Sequence, residues 1–334
     1  MGHDSFVRVL SRLDVESSLD LDELIEALAP AMTDLSSGRA SVPLRVAALV
    51  PEQSGILGAM PGYLPSSNTL AAKLVSVFPH NDGRGLPTHQ ALIAVFDAQT
   101  GAPLAVMDGG YITATRTAAG SALATRLLAR QDASVLAIVG SGVQAHAHAR
   151  AIPRVRPVME IRVAGRDAAR AAALAKQLIE ELGIHATAAP GFEDAIRGAD
   201  IVCATTHSPD PVVRREWLVP GTHVNSVGVN PAGGELDAET VRDSVVVVEW
   251  RPAALAPYPS GAMDLTAPIR DGVISEDHIH AEIGELLSGE KSGRTDDEQI
   301  TLYKSVGVAV QDAAAAALVL AAAAESGAGV EVEL

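Results

Sequence analysis

Three features of the 334-residue chain combine residue types and spacings that could do chemistry. The first is Gly140-Ser-Gly142-Val143-Gln144-Ala145, which follows the mostly apolar run Ser134–Val139 and precedes an alanine-rich stretch. A buried strand, a tight turn and a helix start, in that order, suit a dinucleotide pyrophosphate. Gly140 permits the turn, Gly142 lets the backbone approach the phosphates, Ala145 lets the helix pack close to the strand, and free N–H groups face the negative charge. A Gly-x-Gly-x-x-Ala string is weak evidence alone; a second strand at the expected distance, Glu160–Ala164, strengthens it. That strand leads into Gly165-Arg166-Asp167. An NAD site puts a carboxylate at this strand end for the ribose hydroxyls, whereas an NADP site carries small residues and an arginine. Gly165 takes the acid's place and Arg166 is free to meet a 2′-phosphate, which reads as NADP(H). Asp167, one residue further on, keeps NAD(H) open.

The second feature is a set of cations in apolar surroundings: Arg45 after Pro43-Leu44, Lys73 within Leu70–Val75, and Arg116 within Ala114–Ala119. A single Lys or Arg is ordinarily a solvated surface charge. A substrate carboxylate, however, needs fixed cations, and the planar fork of Arg matches it best. The third is Thr88-His89, which follows the loop Gly83–Pro87, a suitable place for groups that meet a cofactor. A loop histidine is more often a structural hydrogen-bonder, and His89 is not read as the general acid. His146 and His148 stand two apart and share no helical face, so no metal site is read. Cys203 is the only cysteine, which excludes an intrachain disulfide and a cysteine metal cluster; its strand-like setting reads as a buried, inert thiol.

These groups need elements to hold them. The length suggests two domains, and an apolar fraction of 48% excludes disorder. A formal charge of -16 with no Lys/Arg cluster argues against nucleic-acid binding. The first ten residues carry Asp4 and Arg8 and build no apolar core, so no signal peptide is read. The longest apolar run, Ala313–Ala324, is shorter than the ~20 residues of a bilayer span. A soluble, cytoplasmic protein is expected. Asp20 should cap an amphipathic helix ending at Gly38. Strand character follows at Val42–Val50, Ile56–Leu64, Leu70–Phe78, Ala91–Phe96 and Pro103–Met107, with a hairpin turn at Asp97–Gly101, so this region should be an antiparallel or mixed sheet. A small-residue helix from Thr113 then opens an alternation of strands and helices that predicts a doubly wound parallel sheet. Ser305–Ala324 reads as a terminal helix.

The strings Ala71-Ala-Lys73-Leu-Val, Leu86-Pro-Thr88-His89-Gln-Ala, Ala105-Val-Met-Asp108-Gly-Gly-Tyr-Ile-Thr-Ala-Thr-Arg116-Thr-Ala-Ala, Gly140-Ser-Gly-Val-Gln144-Ala and Tyr303-Lys304-Ser305-Val-Gly-Val-Ala-Val-Gln-Asp312 stand in this order. Together they resemble the ornithine cyclodeaminase/mu-crystallin family from about Leu21 to Ala321. The resemblance implies a dinucleotide-binding Rossmann domain at 118–304. It also implies an α+β substrate-binding and dimerisation domain at 1–117, completed by a C-terminal helix at 305–334, and hence a homodimer. It places Arg45, Lys73 and Arg116 at anion-binding positions, and Thr88 and His89 near the cofactor. The expected cofactor set is Thr88, His89, Arg116, Gly140, Gly142, Val143, Gln144, Gly165, Arg166, Asp167, Thr205, Val227 and Ser305.

The chain departs from the cyclodeaminases at Val227-Gly-Val-Asn230-Pro-Ala-Gly-Gly-Glu235. They, and the archaeal alanine dehydrogenases they resemble, carry an aspartate at the position of Asn230, and an amide can neither accept a proton nor attract an ammonium with a formal charge. Asn230 either hydrogen-bonds an imine nitrogen or a water, or is simply a turn residue before Pro231. The reading is an NAD(P)H-dependent reductase of small imino acids, with cyclic ketimines such as pyrroline- or piperideine-2-carboxylate as type substrates. Lys73, Arg45, Arg116 and Asn230 would act on the substrate. The alternatives are an alanine-type amino-acid dehydrogenase, then an ornithine cyclodeaminase, and from another class a ligand-binding, crystallin-like role.

Overall fold

The computed structural model describes Phe6–Glu333. Asp4 and the last residue of the expected 305–334 segment lie outside the described residues. The strands, in chain order, are β1 (Phe6–Leu10), β2 (Val46–Val50), β3 (Gly55–Leu64), β4 (Thr69–Val77), β5 (His89–Phe96), β6 (Pro103–Asp108), β7 (Val135–Val139), β8 (Glu160–Ala164), β9 (His185–Ala188), β10 (Ile201–Ala204), β11 (His223–Ser226), β12 (Ser244–Val248), β13 (Ile279–Glu282), β14 (Ile300–Lys304) and β15 (Val330–Glu333). The chain divides into two compact units, Met1–Arg116 with Val308–Leu334, and Thr117–Gly307.

The first unit is built on a seven-stranded sheet of order β15-β1-β6-β5-β4-β3-β2. Its pairs are antiparallel except β1 with β6, so the sheet is mixed, as its turn chemistry indicates. The β5–β6 hairpin closes where Asp97 N–H donates to Ala102 O at 2.8 Å and Gly101 adopts φ 75°. The helix Leu21–Ser36 starts at Asp20, whose carboxylate accepts from the N–H groups of Asp22 and Glu23, and it buries Leu24, Ile25, Leu28 and Met32. The helix Ala309–Ser326 packs on it and on β3 and β4. A Cβ at Gly62 of β3 would stand 3.0 Å from Ala309 Cβ, so glycine there lets this helix approach the sheet. Alternation along β4 points Lys73 inward and leaves Leu74 exposed.

Four expectations are corrected. The small-residue helix expected from Thr113 runs Gly109–Leu128. The terminal helix begins at Ala309 rather than Ser305, because Gly307 takes φ 79° and Val308 is extended. The helix also stops at Ser326, and Val330–Glu333 is a strand paired with β1. The strand expected from Val42 starts at Val46. Length does not separate the terminal helix from a membrane span, since its 18 residues pass that test; what marks it as a core helix is that more than half of it is buried.

The second unit carries an eight-stranded sheet of order β13-β12-β14-β11-β10-β7-β8-β9, parallel throughout. From β7 the chain runs outward through β8 and β9, then returns to β10 on the other side of β7. That reversal makes the crevice beyond β7 and β10 the switch point at which doubly wound sheets bind ligands. The fold is a Rossmann-type α/β unit joined to an α+β unit.

Candidate functional site

The glycine turn leaves β7 at the switch point. Gly140 has φ 123°, and a Cβ there would lie 2.6 Å from Thr205 Oγ1, so no other residue fits without displacing the end of β10. Thr205 Oγ1 donates to Val139 O at 2.9 Å, which joins the two strand ends. Gly142 is the N-cap of the helix Val143–Ala151, and no side chain caps it, so its first N–H groups remain available to an anion. Val143 is 69% exposed beside them. Gln144 Oε1 is buried without a hydrogen-bond partner. An uncapped helix start, an exposed apolar side chain and an orphaned polar atom fit a dinucleotide.

At the end of β8, a Cβ on Gly165 would sit 3.1 Å from Ser141 Oγ, so bulk is disfavoured there. Arg166 is exposed and makes no hydrogen bond or ion pair among the described residues. Asp167 caps the helix Ala168–Leu182, with Oδ1 accepting from Ala169 N–H at 2.9 Å and Arg170 N–H at 3.1 Å. Val227, just past β11, donates its N–H to Ala204 O at 3.1 Å. Ser305 is buried instead, and its Oγ donates to Glu249 at 2.9 Å; the same carboxylate accepts from the N–H groups of Val306 and Gly307.

In the first unit the structure brings the cations together around a carboxylate. Lys73 Nζ lies 2.9 Å from Asp312 Oδ1 and 2.8 Å from Oδ2, and Arg116 Nε donates to Oδ1 at 3.1 Å. Arg116 also donates to Gln311 Oε1 at 2.7 Å. Lys73, Arg116, Gln311 and Asp312 are all buried. Burial first, and then the charge of Arg116, pull the Lys73 ammonium down to about 7, against the opposing attraction of Asp312; Arg45 adds to the fall. Burial alone would raise the Asp312 carboxyl, but Lys73, Arg116 and Arg45 outweigh it and hold it below its ordinary range. Arg45 is half-buried, with its stem against Gly58. Thr88 and His89 are exposed at the start of β5, where Thr88 O accepts from Phe78 N–H at 2.9 Å.

Asn230 serves its own turn. Its Nδ2 donates to His207 O at 2.9 Å and its Oδ1 accepts from Ala232 N–H at 2.9 Å, so both amide atoms are engaged. Behind this turn the second unit holds a buried cluster absent from the expected set: Lys304, Asp264 and Glu235. Lys304 Nζ lies 2.7 Å from Asp264 Oδ2 and donates to Ser226 Oγ at 2.9 Å and Gly228 O at 2.6 Å. Burial pushes the Glu235 carboxyl up and the charge of Asp264 pushes it further, against Lys304 and the hydrogen bonds from Thr206.

Sequence reasoning also missed Asp312 as a partner of Lys73, although one signal existed: it is the sole carboxylate in the first dozen residues of an apolar helix.

The model of the ornithine cyclodeaminase/mu-crystallin family matches residues 7–327. A Delta(1)-pyrroline-2-carboxylate reductase of Bacillus cereus is 36% identical, over 97% of this chain and 99% of that protein. The solved Delta(1)-pyrroline-2-carboxylate reductase of Thermococcus litoralis, in complex with NADH and L-proline, superposes with a TM-score of 0.94 at 40% identity, covering 98% of this chain and all of the other (100%). An archaeal alanine dehydrogenase dimer with bound NAD gives a TM-score of 0.92 at 34% identity, covering 98% and 99%. With a matching fold and matches along nearly its whole length, the chain belongs to the ornithine cyclodeaminase/mu-crystallin family.

Proposed function

We propose that the protein is a cytoplasmic, homodimeric reductase of small cyclic imino acids, with pyrroline-2-carboxylate or piperideine-2-carboxylate as type substrates and NADPH as the preferred cofactor. The observation that carries this reading is the charge balance in the first unit, where the buried Lys73 and Arg116 both pair with Asp312, the one carboxylate they contact among the described residues. Buried positive charge in excess is costly unless an anion completes it. A substrate carboxylate is such an anion, and the pyrroline-2-carboxylate reductases among the relatives are named for a substrate that carries one.

In this mechanism the guanidinium of Arg116, fixed by Asp312 and Gln311, and that of Arg45 hold the substrate carboxylate, so the imine carbon has one orientation. Lys73 completes the clamp. With its ammonium pulled to about 7, Nζ can hold or release a proton near neutral pH. Gly140, Gly142, Val143, Gln144 and Thr205 would hold the cofactor, whose reduced nicotinamide supplies a hydride when bound. For the C=N bond to become the C–N bond of the amino acid, the imine nitrogen would also need a proton, which Lys73 Nζ would give. Asn230, tied into its turn and lacking a carboxylate, argues against the elimination of ammonia from a diamino acid.

Arg166, exposed and without a partner among the described residues, together with Asp167 turned to its helix cap, favours the 2′-phosphate of NADPH; NADH is the alternative. The dimer reading rests on an apolar row across β2, β3, β4 and β5. There Val46 pairs with Ala59, Ala59 with Leu74 and Leu74 with Leu92, leaving Val46 65%, Leu74 46% and Leu92 55% exposed. A second copy would cover this row, and a monomeric mass in sedimentation would refute that. The activity is tested by mixing the protein with each reduced nicotinamide and pyrroline-2-carboxylate. Loss of the nicotinamide absorbance with formation of proline is expected. No loss, with absorbance gained instead from alanine and NAD, would replace this reading with the dehydrogenase one.

A further inference from the structure

One buried carboxylate of the second unit has no part in the mechanism above, yet it ties the end of β10, which borders the switch point, to the end of the neighbouring β11. Glu235 Oε1 accepts from the N–H of Thr206 and from Thr206 Oγ1 at 2.7 Å; Oε2 accepts from Ser226 Oγ at 3.0 Å and from the N–H of Gly228 at 2.7 Å. Thr206 follows β10 and Gly228 follows β11, the neighbouring parallel strand. The other side of the Gly228 residue is held as well, since its carbonyl accepts from Lys304 Nζ, which is anchored on β14 and paired with Asp264. Gly228 has no freedom of its own: a Cβ there would stand 2.3 Å from Glu235 Cδ and 2.4 Å from Thr206 O. Glu235 is 1% exposed and Lys304 is fully buried at 0%, so both work away from solvent.

We propose that Glu235 is a positioning residue for the cofactor: by accepting hydrogen bonds from both strand-end loops at once, it fixes the ledge formed by Thr205–Thr206 and Val227–Gly228. Ligands of doubly wound sheets lie against the carboxyl ends of the strands, so a ledge held in one geometry is prepaid for binding. A glutamine cannot replace this group. All four of its contacts are donors, and an amide NH2 would set a donor against either the Thr206 or the Gly228 side.

The inference rests on the reading that this unit holds a nicotinamide cofactor, and the test separates the two. The dissociation constant of NADPH is measured directly, by fluorescence titration of the whole 334-residue chain, for the wild type, Glu235→Gln and Ser226→Ala. Glu235→Gln is expected to weaken NADPH about tenfold or more. Ser226→Ala removes one donor, is the milder change, and should weaken NADPH about threefold. The KM for pyrroline-2-carboxylate at saturating NADPH should stay within about twofold of the wild type, a split that general loosening of the fold would not give. Wild-type-like NADPH binding by folded Glu235→Gln overturns the proposal. If that variant does not fold, wild-type-like binding by Ser226→Ala overturns it. A wild type that binds no nicotinamide cofactor overturns the functional reading as well.

Discussion

Each unit of the molecule buries an ionic cluster made of the same kinds of side chain, and the two have opposite charge balance. Asp312 is in contact with both Lys73 and Arg116, so among the described residues cations outnumber carboxylates there. Around Lys304 stand Asp264 in contact and Glu235 nearby, so carboxylates outnumber cations. An excess carboxylate has a local remedy in hydrogen-bond donors, as Glu235 has in Thr206, Ser226 and Gly228. In the first cluster the Arg116 guanidinium keeps its charge, because arginine does not deprotonate in proteins, and the Lys73 ammonium is the cation that can shed its own. The second cluster is therefore complete as a scaffold, whereas the first is the one that, under the proposed function, an anion from outside would complete.

Substitutions can break this contrast. Removing Lys73 as Lys73→Met is expected to lower kcat/KM by about a thousandfold, the order of magnitude for breaking a buried, hydrogen-bonded pair in a binding site. Steady-state kinetics checks it, with the melting temperature changing less than for the next variant. Lys304→Met leaves Asp264 and Glu235 without their cation and should cost roughly 3–5 kcal/mol of stability, read as a fall in the melting temperature of about 10 °C.

Acidity and alkalinity should act on different units. Lys73 loses its charge as pH rises through about 7, so affinity for the substrate carboxylate should fall across that range. Because Asp312 raises the Lys73 value, Asp312→Asn should move the transition to lower pH, which a KM–pH profile measures. In the second unit His148 is held neutral, its value pulled by burial from 6.5 down to about 4, and His223 likewise down to about 3. Folded values below the unfolded one mean that their stabilisation is complete above about pH 6.5 and lost as pH falls toward those values. Each group accounts for about 3 kcal/mol or more when fully titrated. Urea midpoints between pH 7 and pH 5 should therefore fall, and less steeply in His148→Gln. The smallest effect is expected from Arg166→Ala, with the KM for NADPH rising about tenfold and that for NADH little changed.

The cofactor turn was legible because its meaning is local: strand, glycines and helix are consecutive, and Gly140 does need a positive φ. The Asp20 cap and the Asp97–Gly101 hairpin were legible for the same reason. Lys73 and Arg116 could be read as buried cations from their apolar neighbours, but their counter-ion could not, since Asp312 lies 239 and 196 residues away along the chain. The Glu235–Asp264–Lys304 cluster is likewise assembled from three separate segments, none carrying a motif for it. The strands β1 and β15 are short, with five and four residues, and too brief for a period to stand out. Ser305 was misjudged because helix propensity extended the alanine-rich run backward, whereas Glu249 and the turn at Gly307 hold that stretch out of the helix.

The central claim is that the cation excess around Asp312 recognises a carboxylate. It is tested most directly by comparing the rates at which the protein reduces pyrroline-2-carboxylate and 1-pyrroline, the same ring imine without the carboxylate. A kcat/KM about a thousandfold higher for the carboxylated ring is expected, as for the loss of two charged hydrogen bonds. Equal values for the two imines would contradict the account.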